Sequence, residues 1–189
     1  MKAVRVGAIL SFAIFLVASL SSAAFTQSTN LESLTPDQLK SLVIKFQRSG
    51  CYGNCPQYQL AIYGDGRVEY QGIKDVKLVG SGKGTIEAAD VRSILTAFAK
   101  ANFFTVGDNV SEEKCNCGYC TDLPTVVTEI TIGGTKHTVE HYLGCGCATK
   151  ELRELESVID RLVKSDQWTG DVSKSGPMGM TCFNRGKSN

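Results

Sequence analysis

The sequence predicts a single α+β domain. Its sheet is mostly antiparallel, its elements run β-β-β-β-α-β-β-α, and two amphipathic helices pack on one face. Three observations carry this. Residues 42–71 hold three short runs with period-two alternation, joined by tight connections. Residues 125–142 hold two more runs around a Gly-Gly turn. Residues 90–101 and 150–166 repeat apolar residues at helical spacing. Strands joined so closely pair antiparallel.

The chain has 189 residues, enough for one ordinary domain. Hydrophobic residues make up 42% and charged residues 21%, a globular composition rather than a disordered one. A formal charge of +1 argues against nucleic acid or an anionic membrane as partner.

Residues 1–24 read as a secretory signal. Lys2 and Arg5 give a positive start. The apolar run Val6–Leu20 is short of the roughly 20 residues that span a bilayer. Ser22-Ala23-Ala24 places cleavage before Phe25. The competing reading is an uncleaved anchor. The expected product is exported, periplasmic or extracellular, with no membrane span after signal cleavage.

Residues 25–41 form a polar, flexible leader (Phe25–Leu34) and a short helix. Thr35-Pro36-Asp37 supplies an N-cap hydroxyl, a proline at the first helical position and an acid in the first turn. Alternation starts at Leu42: Leu42, Ile44 and Phe46 face one way, Val43, Lys45 and Gln47 the other. The second strand is Tyr58–Tyr63, with Tyr58, Leu60 and Ile62 on one face. Gly64-Asp65-Gly66 turns the chain into Arg67–Gln71, which sends Val68 and Tyr70 inward. A fourth strand lies within Val76–Ile86, interrupted by Gly80, Gly82 and Gly84. The first long helix, Asp90–Ala101, buries Val91, Ile94, Leu95 and Phe98, and Asn102 ends it in a left-handed turn. Val106–Leu123 is a loop. Thr125–Ile132 and Thr135–Tyr142 form a hairpin around Gly133-Gly134. Thr149 caps the last helix, Lys150–Asp166, whose stripe is Leu152, Leu155, Val158, Ile159, Leu162 and Val163. Trp168 packs on the core and closes the 42–168 domain. Residues 169–189 are a loose tail tethered by Cys182.

The run F-x-R-x-G-C-Y-G-x-C-P-x-Y-x-L-x-I-Y-G-D-G-x-V-x-Y-x-G, Phe46 to Gly72, resembles a family of exported bacterial proteins with an uncharacterised domain (a domain of unknown function, DUF6438). The similarity continues through Asn102-Phe103-Phe104 and ends near Trp168. It implies an exported bacterial domain and assigns no activity, cofactor or catalytic residue. The Cys115–Cys120 loop, the Cys145/Cys147 pair and Cys182 look like additions to the family's pattern.

Eight cysteines read as disulfides in an oxidising compartment. Cys51 and Cys55 flank Tyr52-Gly53-Asn54, a loop tight enough to close. A redox pair more often has two intervening residues and a helix N-terminus to lower its thiol pKa. The hairpin positions the others. With Gly133-Gly134 as the turn, Thr125 faces Tyr142, and the extended ladder sets Cys120 against Cys147. This brings Cys115, Cys117 and Cys120 against Cys145 and Cys147, with Cys182 as the sixth. Six cysteines allow fifteen connectivities. Cys120 with Cys147 is favoured and the others stay open. The rival reading is a zinc or copper site from Cys115, Cys117, Cys120, Cys145, Cys147 and His141. The compartment and the C-x-C-x-x-C spacing argue against it. His137 and His141 lie about 13 Å apart along one strand, too far to share a metal.

No catalytic constellation assembles. His137 and His141 read as half-exposed strand residues; the alternative, a general base, needs a partner within hydrogen-bond reach. Glu140 points to the opposite face. Asp65 reads as a turn residue rather than a calcium ligand. Tyr52, Tyr58, Tyr63 and Tyr70 read as packing, or alternatively as a ligand or partner surface. The glycines at 80, 82 and 84 match no phosphate-loop pattern. Asn109-Val110-Ser111 is a glycan sequon only in a eukaryotic pathway. The expected function is a non-enzymatic exported domain that binds an unidentified protein or small ligand, or serves the envelope structurally. No cofactor is implied. A thiol-disulfide oxidoreductase using Cys51/Cys55 is the alternative, with metal binding by the 115–147 cluster as a further one.

Overall fold

The structure, a computed structural model, describes residues 31, 33–107, 109–110, 118–171 and 176–183. The expected signal segment, most of the leader, Ser111, Cys115 and Cys117 lie outside the described residues. Helix α1 (Pro36–Ser41) leads into β1 (Val43–Arg48), β2 (Gln57–Tyr63), β3 (Arg67–Lys74) and β4 (Gly80–Thr85). Helix α2 (Ala88–Lys100) follows, then β5 (Asn109–Val110) and β6 (Tyr119–Cys120). The chain continues through β7 (Thr125–Ile132), β8 (Thr135–Tyr142), α3 (Lys150–Val163), α4 (Asp166–Thr169) and β9 (Cys182–Phe183).

The main sheet has the order β4-β3-β2-β1-β7-β8-β5. Strand β1 sits in its middle, antiparallel to β2 on one side and β7 on the other. The two-residue β5 pairs parallel with β8. The α+β class and mostly antiparallel pairing agree with the sequence. Thr125 pairs with Tyr142 and Ile132 with Thr135, because Gly133 (φ 56°) and Gly134 (φ 83°) take the two left-handed positions of the turn.

The strand alternation puts Ile44, Phe46, Leu60, Ile62, Val68, Tyr70, Ile130 and Val139 on one face. There they meet Val91, Ile94, Leu95 and Phe98 of α2 and Leu152, Leu155, Ile159 and Val163 of α3 in one core. Each such large side chain stabilises by about 1.5–3 kcal/mol when buried. Thr35 caps α1 with a reciprocal pair: Gln38 N–H donates to Thr35 Oγ1 (3.2 Å) and Thr35 N–H donates to Gln38 Oε1 (2.9 Å). Asn102, at φ 47°, ends α2.

Four local expectations are corrected. The last helix does not run on to Asp166: Lys164 enters the left-handed region (φ 55°, ψ 51°), α3 stops at Val163, and α4 starts separately. The leader is not wholly loose, since Leu31 is buried in the core. Tyr52 is 69% exposed, unlike Tyr58 and Tyr70. The tail is tied down at more than Cys182. Pro177 bridges Gly53, Met178 N–H donates to Tyr52 O (2.7 Å), and Asn54 N–H donates to Gly176 O (3.2 Å). Residues 176–183 thus form a strap across the Cys51–Cys55 loop.

The β4 glycines have a packing cause. Trp168 lies against this edge strand and stacks on Tyr70 with ring centroids 4.9 Å apart. A Cβ at Gly82 would stand 3.0 Å from Trp168 Nε1, and one at Gly84 3.0 Å from the far edge of the indole. The strand carries no inward side chains at these positions because the indole occupies that space.

Candidate functional site

Inward alternation on β1 does not end at Phe46. It continues to Arg48, which pairs opposite Tyr58 on β2 and Val126 on β7; Val126 in turn pairs opposite His141 on β8. The last row of the inner face therefore carries a base, a phenol and a histidine. Helix α3 crosses this row with two acids, Glu156 and Asp160, spaced to share one side of a helix.

Asp160 is the hub of the first cluster. Arg48 Nε donates to its Oδ2 at 2.8 Å, and Arg48 Nη2 lies 2.7 Å from the same oxygen. The Tyr58 hydroxyl and the Ser165 hydroxyl (2.9 Å) both donate to Oδ1. Burial works against the Arg48 charge, but the Asp160 carboxylate outweighs it and holds the guanidinium above its ordinary value. Burial, then the Asp160 charge, pushes the Tyr58 phenol above its ordinary 10.0. Arg48 stays charged, Tyr58 stays a donor, and both Asp160 oxygens are occupied.

This cluster floors a cleft of about 620 Å³ between the β1–β2 end and the α3–α4 corner. Cys55 and Pro56 form one wall. Ser157, Arg161, Lys164 and Asp166 line the other.

The second acid, Glu156, is hydrogen-bonded to His141: Nδ1 and Oε1 are 2.7 Å apart. Both side chains are excluded from solvent, at 1% and 3% exposure. The expectation of a half-exposed His141 is thereby corrected; its ring sits under α3, on the inward parity of Val139. His141 Nε2 has no hydrogen-bond partner among the described residues. His137 is half-buried; its Nε2 lies 3.2 Å from Val106 O, and its ring meets Phe103 edge-on. Glu140 is exposed, on the opposite face as expected.

Cys51 and Cys55 form a disulfide, with Cα atoms 5.5 Å apart, in a loop with no helix start. Cys120 pairs with Cys182, which corrects the favoured Cys120–Cys147 bridge. Of the expected neighbourhood, Cys120 does lie beside the Cys145 segment: Tyr119 bridges Cys145, and Cys120 N–H donates to Gly144 O (2.9 Å). The ladder breaks at Pro124, and β6 turns its free side to β9 of the strap instead. Cys145 and Cys147 are also disulfide-bonded, so neither they nor Cys120 offers a thiolate in this state. Among the described residues no three His, Cys, Asp or Glu side chains converge as a metal site.

A slightly larger groove of about 640 Å³ lies on the opposite, open face of the sheet. Glu129 at its side is engaged, 2.6 Å from Lys136 and 3.6 Å from Lys45, Glu69 accepts from the Tyr63 hydroxyl, and Gln59 donates to Gln47. It contains no buried polar cluster and reads as the solvated side of the sheet. The Arg48 cleft is the better candidate, because it joins the Arg48–Asp160 floor to Arg161 and Lys164 at the mouth. Arg48, Glu156 and Asp160 escaped the sequence reading, although inward parity on β1 marked the first; His141 was weighed there as a base or metal ligand, but not as buried against an acid.

The family model described as Domain of unknown function (DUF6438) matches residues 42–163. The chain belongs to that family. The matched span contains Arg48, Tyr58, His141, Glu156 and Asp160, and it stops before Lys164, Trp168 and the strap. No curated protein matches the sequence.

Proposed function

We propose that this member of the DUF6438 family is an exported, disulfide-braced domain that works by binding rather than by catalysis, with the Arg48 cleft as its ligand site. One observation carries the reading: the acid and the phenol of the cleft floor are fully engaged. Asp160 accepts from three residues, and Tyr58 is held protonated. A general base needs a free acceptor matched to the working pH, and the cleft floor supplies none. It does supply rigid, charged recognition chemistry.

Export is supported by the basic and apolar pattern of residues 1–24 and by the oxidised state of the described cysteines. Among the described residues no helix is long and apolar enough to cross a membrane. The expected location is the periplasm or the extracellular space.

A small-molecule screen on the purified chain, read by amide NMR shifts, tests the binding reading. Hits are expected to cluster on Arg48, Ser157, Ser165 and Asp166. Turnover of any substrate that is lost on substituting one exposed polar residue overturns the non-enzymatic assignment.

A second reading has one observation in its favour: Cys55 lines the same cleft. A thiol-disulfide oxidoreductase would exchange Cys51–Cys55 with substrate thiols there. Alkylation and intact mass after mild reductant decide it, since selective opening of this one bridge is required.

A further inference from the structure

We propose that the Arg48 cleft binds an oxyanion, a carboxylate or phosphate group carried by its ligand, on Arg48, Arg161 and Lys164. The inference rests on the cleft being the ligand site and adds what it selects.

Three observations converge. First, Arg48 spends only Nε and Nη2 on Asp160, and a guanidinium has five N–H donors. The remaining donors belong to a residue that lines the cleft, and their charge is fixed. Second, Arg161 and Lys164 line the same cleft from the end of α3. The Arg161 contact to Glu154 is loose (3.9 Å) and exposed, and among the described residues Lys164 pairs with no carboxylate. Asp160 is consumed by the floor, so Asp166 is the one acid of the lining left against these cations.

Third, Lys164 occupies a costly backbone position. Among the described residues four non-glycines have positive φ: Asp75, Asn102, Asp122 and Lys164. Asp and Asn tolerate that region because their short polar side chains bond locally. Lysine has no such compensation, and glycine is the ordinary choice at the end of a helix. A glycine here would make an easier α3–α4 corner. The lysine brings an ammonium group to the cleft mouth instead.

The test uses the full chain and three probes: inorganic phosphate, N-acetylglycine and its neutral amide, N-acetylglycinamide, each followed by amide NMR. Saturable shifts at Ser157, Ser165 and Asp166 are expected with phosphate, N-acetylglycine or both, weakening as salt rises. A response to only one of the two identifies the source of the oxyanion. Lys164→Gly is expected to raise Tm by about 2 °C through relief of the backbone while weakening anion binding about fivefold. A merely structural lysine gives the first effect without the second. Arg161→Gln weakens binding without moving Tm.

If the neutral amide binds the cleft as tightly as the acid, the anion assignment fails and the ligand site stands. Shifts confined to the open sheet face overturn both. No saturable shift with either anion at tens of millimolar overturns the proposal, as does unchanged affinity in Lys164→Gly.

Discussion

Glu156 and Asp160 lie four residues apart on the sheet-facing side of α3, and each meets a base from a different strand. Glu156 Oε1 is 2.7 Å from His141 Nδ1 on β8, and Asp160 takes Arg48 from β1. Strands β1 and β8 flank β7, so the two bases stand about 10 Å apart across the sheet. A helix rises about 6 Å in four residues, and side-chain length closes the difference. These pairs therefore fix where α3 sits along and around its axis. A slip of one residue would break both hydrogen-bonded pairs. Buried pairs contribute little net stability over apolar substitutes, but breaking one is costly. Their role here is to set position.

Asp160→Ala leaves the Arg48 charge uncompensated beneath α3. The expected loss is about 3 kcal/mol in urea unfolding. Arg48→Met with Asp160→Leu removes both charges and is expected to recover most of it. A double variant as unstable as Asp160→Ala would show that packing, and not the stranded charge, causes the loss.

Tyr58 makes stability depend on alkaline pH. Its phenol stands above its ordinary 10.0 in the folded chain, so the unfolded chain releases that proton first. The stabilisation is complete below pH 10 and is lost as pH rises past it. Against Tyr58→Phe, the native protein is expected to lead by about 1 kcal/mol at neutral pH. That lead shrinks by up to about 1.4 kcal/mol per pH unit above 10. Parallel curves for the two proteins would contradict the burial argument.

The faces of this fold were legible wherever alternation stayed apolar. Leu42, Ile44 and Phe46 announce their side of β1 because water rejects them. Arg48 continues the same parity and was passed over, since a charged residue gives no hydrophobic signal for burial. Glu156 was hidden in the same way between Leu155 and Val158. The Gly133-Gly134 turn gave the hairpin register directly, because positive φ at two adjacent positions nearly demands glycine. The Cys120 partner could not be read so. It arrives on a strap whose docking uses backbone hydrogen bonds to Tyr52 and Asn54, and such bonds leave no period in a sequence.

The Cys120–Cys182 and Cys51–Cys55 disulfides should differ in worth. Cys120–Cys182 closes a separation of 62 residues and Cys51–Cys55 one of 4. Chain entropy gives about 4 kcal/mol for the longer loop and about 2 for the shorter. C120S/C182S is expected to lower the unfolding midpoint more, and to expose 176–183 to protease. Equal losses would mean that the strap detaches before the domain unfolds, so that its bridge guards the cleft wall and not the core.

Gly82 and Gly84 invert the usual rule for glycine in a strand. Alanine there ordinarily stabilises by about 0.5–1 kcal/mol, because glycine loses more freedom on folding. Here a new Cβ meets the Trp168 ring at 3.0 Å at either position. The indole cannot back away easily, since its other side stacks on Tyr70. Gly82→Ala and Gly84→Ala are therefore expected to cost about 1–3 kcal/mol each. Ser81→Ala, on the outward face of the same strand, is expected to be near neutral. Coupling supplies the decisive check. In a Trp168→Leu background the penalty at Gly82 should largely vanish, because the smaller side chain leaves room for the methyl group. A stabilising Gly82→Ala in the native background would show that Trp168 does not set the composition of β4.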